Sequence, residues 1–382
     1  MKRKAILFLS LLLLSMSLSA CGISSSAELP NDPPAGSETA EEELFTPTVT
    51  VADVDLREVD LDLLWNRDTT FAISPRGDAF FARQDGTVWN YTYGDGYACF
   101  DSSGQGETFE QPVHAFDIHP VRMAIEEHGG VLIDDQGSLW GWGAFSKENG
   151  SFDKIMDHVV DVQLSFYEAL VLCEDGTLWA WLRNGIEPQL LAENVRACGY
   201  STHPLLLKEN GQLVMLELKL NHNETAIQTV AERPLMDDVY ALDGSFIYTV
   251  DGTLYTLDEN LAPVKRFIGA VQAVHSNEGI VILDANGAIW LQEGLTEPQR
   301  IAENVQKLIT HSNLLYIRRS GALCLFRDGE ESVLDTHVLE AAAGYMPNGV
   351  THSIFYSKGD GLLWHKGLVG DAEMITDNLL LT

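Results

Sequence analysis

The sequence predicts an all-β chain closed into a β-propeller of eight short antiparallel blades, with seven as the alternative count. Three observations lead there. The first is a motif that returns along most of the chain. "VLCEDGTLWAW" at Val171 recurs as "FFARQDGTVWNY" from Phe80, "VLIDDQGSLWGW" from Val131 and "LLLKENGQLVML" from Leu205. It returns again as "FIYTVDGTLYTL" from Phe246, "VILDANGAIWLQ" from Val281, "LYIRRSGALCLF" from Leu315 and "IFYSKGDGLLWHK" from Ile354. The shared glycine stands at 86, 137, 176, 211, 252, 287, 321 and 361, at intervals of 34 to 51 residues, the range of propellers and repeat arrays. The second observation is the chemistry of one copy. A short apolar run meets Asp-Gly or Asn-Gly, which supplies the positive φ of a tight hairpin turn, and an alternating strand leaves it. The third is an upstream strand signal: "DHVVDVQL" at 157, "ENVRACGY" at 193, "GAVQAVHS" at 269 and "ENVQKLIT" at 303. One copy is thus a small meander that cannot bury both faces alone. Radial stacking buries them, and ring closure limits the exposed edges.

Taken in order, the elements begin with a segment that does not belong to the fold. Lys2, Arg3 and Lys4 precede an apolar run interrupted by serines, too short for a comfortable membrane span, so residues 1–20 read as a signal peptide. Leu18-Ser19-Ala20-Cys21 resembles the lipobox of bacterial lipoproteins. That resemblance implies lipid attachment at Cys21 and a place in the bacterial cell envelope, facing outside the cytoplasm. Residues 21–47, rich in Ser, Pro, Glu and Ala, lack the apolar surface to offset their ordering entropy and read as an acidic tether. A tether of about 25 residues reaches roughly 28 Å, beyond the Debye length of about 8 Å. The propeller then occupies 48–382. "VTVADVDLREVDLDLLW" (49–65) is placed to supply an N-terminal strand that closes the ring with the tail "MITDNLLLT", which repeats the phase of "QLLAENVRAC". Asp53, Asp55, Asp60 and Asp62 alternate there and would share one strand face, as a solvated edge rather than a Ca²⁺ site.

The pattern V-x-x-V followed by an apolar strand and D-G-x-L-W-x-W, clearest in "DGTLWAW" at 175 and "QGSLWGWG" at 136, is similar to the repeats of the regulator-of-chromosome-condensation superfamily of β-propellers. The likeness runs from about residue 68 to 380. These copies are shorter than the eukaryotic repeats and lack the N-x-x-G-Q-L-G tail after the tryptophan, so they look more like the secreted bacterial members. The family is usually seven-bladed, whereas eight hairpins are counted here.

Composition narrows the function. There are 24 Lys+Arg against 56 Asp+Glu, a net charge of −32. Nucleic-acid affinity depends on cations that neutralise phosphates, so no nucleic-acid partner is expected, and the chromatin role of eukaryotic relatives is opposed. Cys99, Cys173, Cys198 and Cys324 have no zinc spacing, and the last three sit in apolar runs as small hydrophobes. No histidine pair has metal spacing, no nucleophile-elbow or phosphate-loop motif occurs, and neither a metal nor a cofactor is expected. His203, His275 and His311 recur near hairpin strands as structural residues. Trp89, Trp140, Trp179, Trp290 and Trp364 share one repeat position and are expected to pack between sheets, with Trp142 and Trp181 more exposed. Two insertions break the repeat. Residues 91–112 carry Tyr93, Asp95, Tyr97, Phe100 and Asp101, and residues 341–353 carry Tyr345 and Met346. Aromatics on adaptable loops suit recognition. The expected function is a lipid-anchored, monomeric binding or scaffold module for an envelope or secreted protein. The alternative is an envelope hydrolase or lyase acting on a glycan through carboxylates in the channel.

Overall fold

In a computed structural model of the chain, the described residues are 54–65, 69–74, 79–92, 109–114, 118–126, 129–147, 152–165, 168–182, 187–220, 227–309, 314–327, 329–345, 351–367 and 371–381. They form eight four-stranded antiparallel sheets, each a meander of consecutive strands. The blades span Phe71–His114, Pro120–Met156, Val159–Ala192, Val195–Met236, Ala241–Phe267, Ala270–Ala302, Val305–Asp335 and Val338–Thr376, numbered 1 to 8 below. The first strand of each blade is innermost, and these strands surround the axis. The count is therefore eight.

All eight motif glycines turn the chain between the second and third strands with φ between 69° and 85°, a region that costs glycine nothing. The aspartate before the glycine braces the turn. Asp85 accepts from the Thr87 amide and hydroxyl at 3.1 and 2.5 Å, and Asp175 does the same for Thr177 at 3.0 and 2.6 Å. The Thr hydroxyl and amide hold both carboxyls below their ordinary range. A group held down in the folded state stabilises above its unfolded pKa, and this bracing is lost as pH falls through the lowered value.

A second device joins neighbours. The inner strand opens with a β-bulge in most blades, as between Val195 and Ala197 or Val305 and Lys307. Its first residue, or in blade 5 Val239 just before the strand, donates to the motif glycine of the preceding blade: Val159 to Gly137, Val195 to Gly176, Val239 to Gly211, Ala270 to Gly252, Val305 to Gly287 and Val338 to Gly321, at 2.8–2.9 Å. The tail continues the series, since the Leu379 amide donates to the Gly361 carbonyl at 2.9 Å. Leu379 then bridges Arg83 of blade 1, the Leu380 amide donates to Ala82, and the Ala82 amide donates to Thr70. The position of one inner strand is thus shared between the C-terminal tail and the start of blade 1. The tail closes the ring, as its phase in the sequence suggested.

The N-terminal part of that expectation is corrected. Leu56–Glu58 is a 3₁₀ turn and Leu61–Leu64 a short α-helix, not a strand. Asp55 caps the 3₁₀ turn and pairs with Arg57, so Asp55, Asp60 and Asp62 do not share a strand face, and Asp53 lies outside the described residues. The segment is held by burial. The Leu56 amide donates to Val250 in the hairpin turn of blade 5, and its side chain is fully buried. Trp65 ends the segment in the channel.

Apolar clusters fill the seams between blades. One joins Leu170, Leu178 and Ala180 of blade 3 to Cys198, Leu206 and Val214 of blade 4. Another joins Phe355 and Leu363 of blade 8 to Phe71 and Phe81 of blade 1. Cys173, Cys198 and Cys324 are buried in these layers, as expected. The motif tryptophans sit half-buried at the seam edges, as expected, and all but Trp364 also clamp their own turns. Trp89 and Trp179 donate to Thr87 and Thr177 at 2.6 and 2.9 Å. Where the motif lacks threonine, Trp140 and Trp290 donate instead to Asp134 and Asp284, both at 2.8 Å. Trp142 and Trp181 reverse the expectation, being 5% and 0% exposed. Residues two apart on a strand share a face, so both follow the motif tryptophan into the seam. The Trp181 indole donates across it to the Phe145 carbonyl at 3.0 Å.

A buried ion pair also crosses a seam: Arg122 of blade 2 meets Asp161 of blade 3 at 2.5 Å, with side chains 13% and 7% exposed. Removing one member strands the other charge away from water, at a cost of about 3–5 kcal/mol. Asp161→Ala is expected to lose that much in denaturant unfolding. The double replacement of Arg122 and Asp161 by Met and Leu is expected to recover most of it, because the unpaired charge goes with its partner.

Candidate functional site

The connections fix two ends. At the bottom lie the eight motif turns and the starts of the inner strands. At the top lie the turns that leave the inner strands and those that join the third to the outer strands. The third strand of blade 1 ends at Thr92 and its outer strand begins at Phe109. The inner strand of blade 8 ends at Tyr345 and its second strand begins at Thr351. Both insertions therefore join strand ends at the top of adjacent blades. Tyr93, Asp95, Tyr97, Phe100, Asp101 and Met346 themselves lie outside the described residues, as does the side chain of Tyr345. Cys21 and the tether lie outside them too.

A cavity of about 330 Å³ opens at the top end of the channel among blades 4 to 7. Its walls come from the ends of inner strands and the turns that follow: Tyr200, Asp243, Phe246 and His275 above, with Trp65 contributed by the N-terminal segment. The Trp65 indole donates to the Val271 carbonyl at 2.9 Å and packs on Tyr248 with ring centroids 5.3 Å apart. Gln272 holds the wall between blades 6 and 7: its amide donates to the Leu308 carbonyl at 3.0 Å and accepts from the Leu308 amide at 2.8 Å. The Ser245 hydroxyl lies 3.0 Å from His275 Nε2, and the His275 ring packs on Phe246 at 4.6 Å.

No lysine or arginine is among the described residues that line this cavity. Tyr200 donates to Glu168 of blade 3 at 2.8 Å. Burial first, and the Glu168 charge second, push its hydroxyl far above the ordinary tyrosine range. Burial and then Asp243 do the same to Tyr248, so the Asp243 charge is felt below the cavity. A second cavity, about 270 Å³, lies at the bottom among Leu64, Thr70, Lys307, Leu339 and Glu340. Lys307 is buried there, and burial lowers its ammonium pKa against the opposing pull of Glu340.

Sequence motifs gave no sign of two further constellations. Inner-strand carboxylates Asp161 and Glu340 face cations, Arg122 and Lys307, rather than each other, so neither offers the carboxylate pair that glycan hydrolysis uses. Blade 8 aligns Ser353 Oγ 2.8 Å from His365 Nε2, and His365 Nδ1 3.0 Å from Glu373. The spacing matches a nucleophile triad, but Ser353 is 0% exposed. A triad acts only where the serine meets a carbonyl carbon, and here the group fastens three adjacent strands. Among the described residues no cluster of three metal-ligating side chains occurs, and no helix is long and apolar enough to cross a membrane.

Fold and site together define an eight-bladed β-propeller with a channel closed by its own N-terminal segment and an aromatic-lined cavity at one end. No protein-family model matches the chain, and no curated sequence is similar to it. Among solved structures it is similar to Prp20p of Saccharomyces cerevisiae, the yeast RCC1, at 14% identity over 72% of this chain and 80% of that one, with a TM-score of 0.45. It is also similar to BamB of Moraxella catarrhalis, at 12% identity over 82% and 95% with a TM-score of 0.44. Human WBSCR16 aligns at 14% identity over 76% and 87%, with a TM-score of 0.42.

Proposed function

We propose that the protein is a lipid-anchored, extracytoplasmic docking module that binds an envelope or secreted protein with the top end of its propeller. The observation that carries this reading is the segregation of the two ends. The N-terminal segment enters at the bottom, where Val54 lies beside Gly252 and Leu56 bonds Val250. The cavity and both insertions belong to the top. The N-terminal segment and the cavity thus belong to opposite ends, which suits a top that serves as the binding surface. The channel is stopped by Trp65, which suits a platform better than a conduit or an active-site funnel.

The test has two parts. Cys21→Ala is expected to move the protein from the membrane to the soluble fraction; a variant that stays membrane-bound overturns the anchor. Crosslinking in intact cells is expected to join the wild type to one reproducible envelope protein. The double change Tyr97→Ala, Phe100→Ala is expected to lose that crosslink with an unchanged melting temperature. Turnover of a glycan by the purified protein overturns the docking reading in favour of an enzyme.

A further inference from the structure

We propose that the bottom mouth of the channel carries a second docking surface, which takes an amphipathic helix of a partner protein with an aliphatic face and a basic face. The surface follows from the bulges that open the inner strands. Each bulge skips one residue in the pairing with the second strand: Val121, Val160, Arg196, Val271, Gln306 and Leu339. A skipped residue leaves the ladder and its strand bends there, so the repeat places these residues round the bottom end of the channel. Part of that ring is already taken. Val59 and Leu64 of the N-terminal segment line a cavity of about 240 Å³ with Val271 and Gln306, and Val271 is only 4% exposed. Arg196 is engaged by its neighbour, donating to the Val239 and Tyr240 carbonyls at 3.2 and 2.5 Å. The remaining arc is open to solvent. Leu339 of blade 8, Val121 of blade 2 and Val160 of blade 3 are 52%, 37% and 45% exposed. Leu381 of the tail, 40% exposed, lines the bottom cavity beside Leu339. Scattered exposed aliphatics are ordinary, but these four fall on successive sectors of one ring.

Two observations choose the occupant. The first is continuity with a contact that already exists. Leu64, the last residue of the short helix, lines the bottom cavity together with Leu339 and Leu381. The open arc therefore adjoins a helix already seated on the ring through leucine, and a second helix extends the same packing. The second observation is charge. The motif turns that border the arc present Asp85, Asp135, Glu174, Asp175 and Asp360, all exposed, in a chain of net charge −32. The two cations that flank these turns in sequence, Arg83 and Lys358, lie over the Trp89 ring and against Asp335. An acidic segment is repelled by such a rim. A helix with lysine or arginine on one face meets opposite charge along it, which steers the encounter and decides which face turns inward. Docking of this mode reads as aliphatic anchors three or four residues apart, with the charges on the opposite face. The surface lies at the end opposite the top cavity and stands whether or not the top binds a protein.

The experiment uses the full chain in neutral-lipid nanodiscs, with empty discs as the blank, and three fluorescent helical peptides. One has a leucine face and a lysine face, one a leucine face and a glutamate face, and one a serine face and a lysine face. Anisotropy titration is expected to give saturable binding of the leucine–lysine peptide, and at least tenfold weaker binding of the other two. Added salt is expected to weaken the first peptide without abolishing its binding, because screening leaves the aliphatic contact in place. The double change Val121→Lys, Val160→Lys alters exposed positions and is expected to leave the melting temperature unchanged. It should lose the leucine–lysine peptide by at least tenfold and bind the leucine–glutamate peptide more tightly than the wild type does. Val121→Ser, Val160→Ser guards against a folding defect: it removes aliphatic surface without adding charge and is expected to weaken the leucine–lysine peptide severalfold. The Tyr97→Ala, Phe100→Ala protein is expected to bind that peptide as the wild type does; a loss there puts the peptide at the top and overturns the proposal. Equal binding of the leucine–lysine peptide and either control, wild-type affinity in both Val121 and Val160 double variants, or no binding at all also overturns it.

Discussion

Truncation after Thr376 is expected to open the ring and destabilise the propeller by about 4–8 kcal/mol. The tail looks dispensable by length, but it adds backbone hydrogen bonds to the apolar seam between the last blade and the first. Leu379 is 1% exposed in the cluster with Phe71, Phe81 and Phe355, and a buried leucine contributes about 1.5–3 kcal/mol. The backbone adds hydrogen bonds from Leu379 to Gly361, from Gln84 to Asn378 and from Leu380 to Ala82, while the Gln84 side chain and the Thr70 hydroxyl bind the Leu379 and Leu380 carbonyls. Each is worth a net 0.5–1.5 kcal/mol or so. With an unfolding entropy of about 2.1 cal/mol/K per residue over some 330 residues, the melting temperature should fall by roughly 6–11 °C. The freed strand positions at Thr70 and Ala82 would also expose an edge, so the truncated protein should aggregate on heating before it unfolds reversibly. Leu379→Ala removes the side chain and keeps the hydrogen bonds; about half the loss is expected from it. A truncated protein that melts with the full chain would show that the ring is held by seam packing alone.

This architecture was largely legible because its determinants are local and repeated. An Asp-Gly turn dictates a hairpin wherever it falls, and eight copies carry eight positive-φ glycines. The phase of "DNLLL" could be matched to "ENVRA" because Leu379 and Val195 perform the same act, donating to a motif glycine of the preceding blade. The segment 49–65 was misread for the opposite reason. Its alternation of aspartates satisfies a strand pattern, but what decides its conformation is a vacancy at the centre of the ring that no single repeat encodes. Leu56 and Trp65 are drawn into that space, and an extended strand could not present both while turning from the rim of blade 5 to the axis. The inverted expectation for Trp142 and Trp181 had its remedy in view: both stand two residues after the motif tryptophan and had to share its face.

The site was less legible than the fold. The insertions stood out because they interrupt a period, and the strand ends place them at the top of neighbouring blades. The cavity was missed because Tyr200, Asp243, Phe246 and His275 come from three different blades and none breaks its own repeat conspicuously. A usable signal existed. Tyr200, Asp243 and His275 all stand at or near the ends of the upstream strands, so aligning the copies on that strand, rather than on the hairpin glycine, would have put them at one level around the axis. Ser353, His365 and Glu373 were equally unmarked, since cross-strand neighbours have no fixed spacing in sequence.

Replacing Trp65 with alanine is expected to have the largest effect of any single substitution in the segment that crosses the bottom end. The indole is 9% exposed, donates to Val271 at 2.9 Å and packs on Tyr248. It contributes to the wall of the top cavity, while its neighbour Leu64 lines the bottom one. A buried tryptophan truncated to alanine costs about 3–5 kcal/mol, more where the surroundings cannot collapse. Collapse is hindered here, because the walls are inner strands pinned by their stitches to the next blade. The void should instead admit water from both ends, and tryptophan fluorescence should lose its contribution from an apolar site. Trp65→Phe separates volume from hydrogen bonding: it keeps most of the packing and gives up the bond to Val271, so a loss of about 1–2 kcal/mol is expected. If Trp65→Ala instead melts as the wild type does, then the channel is closed by Leu56 and the short helix alone, and the indole is not the stopper.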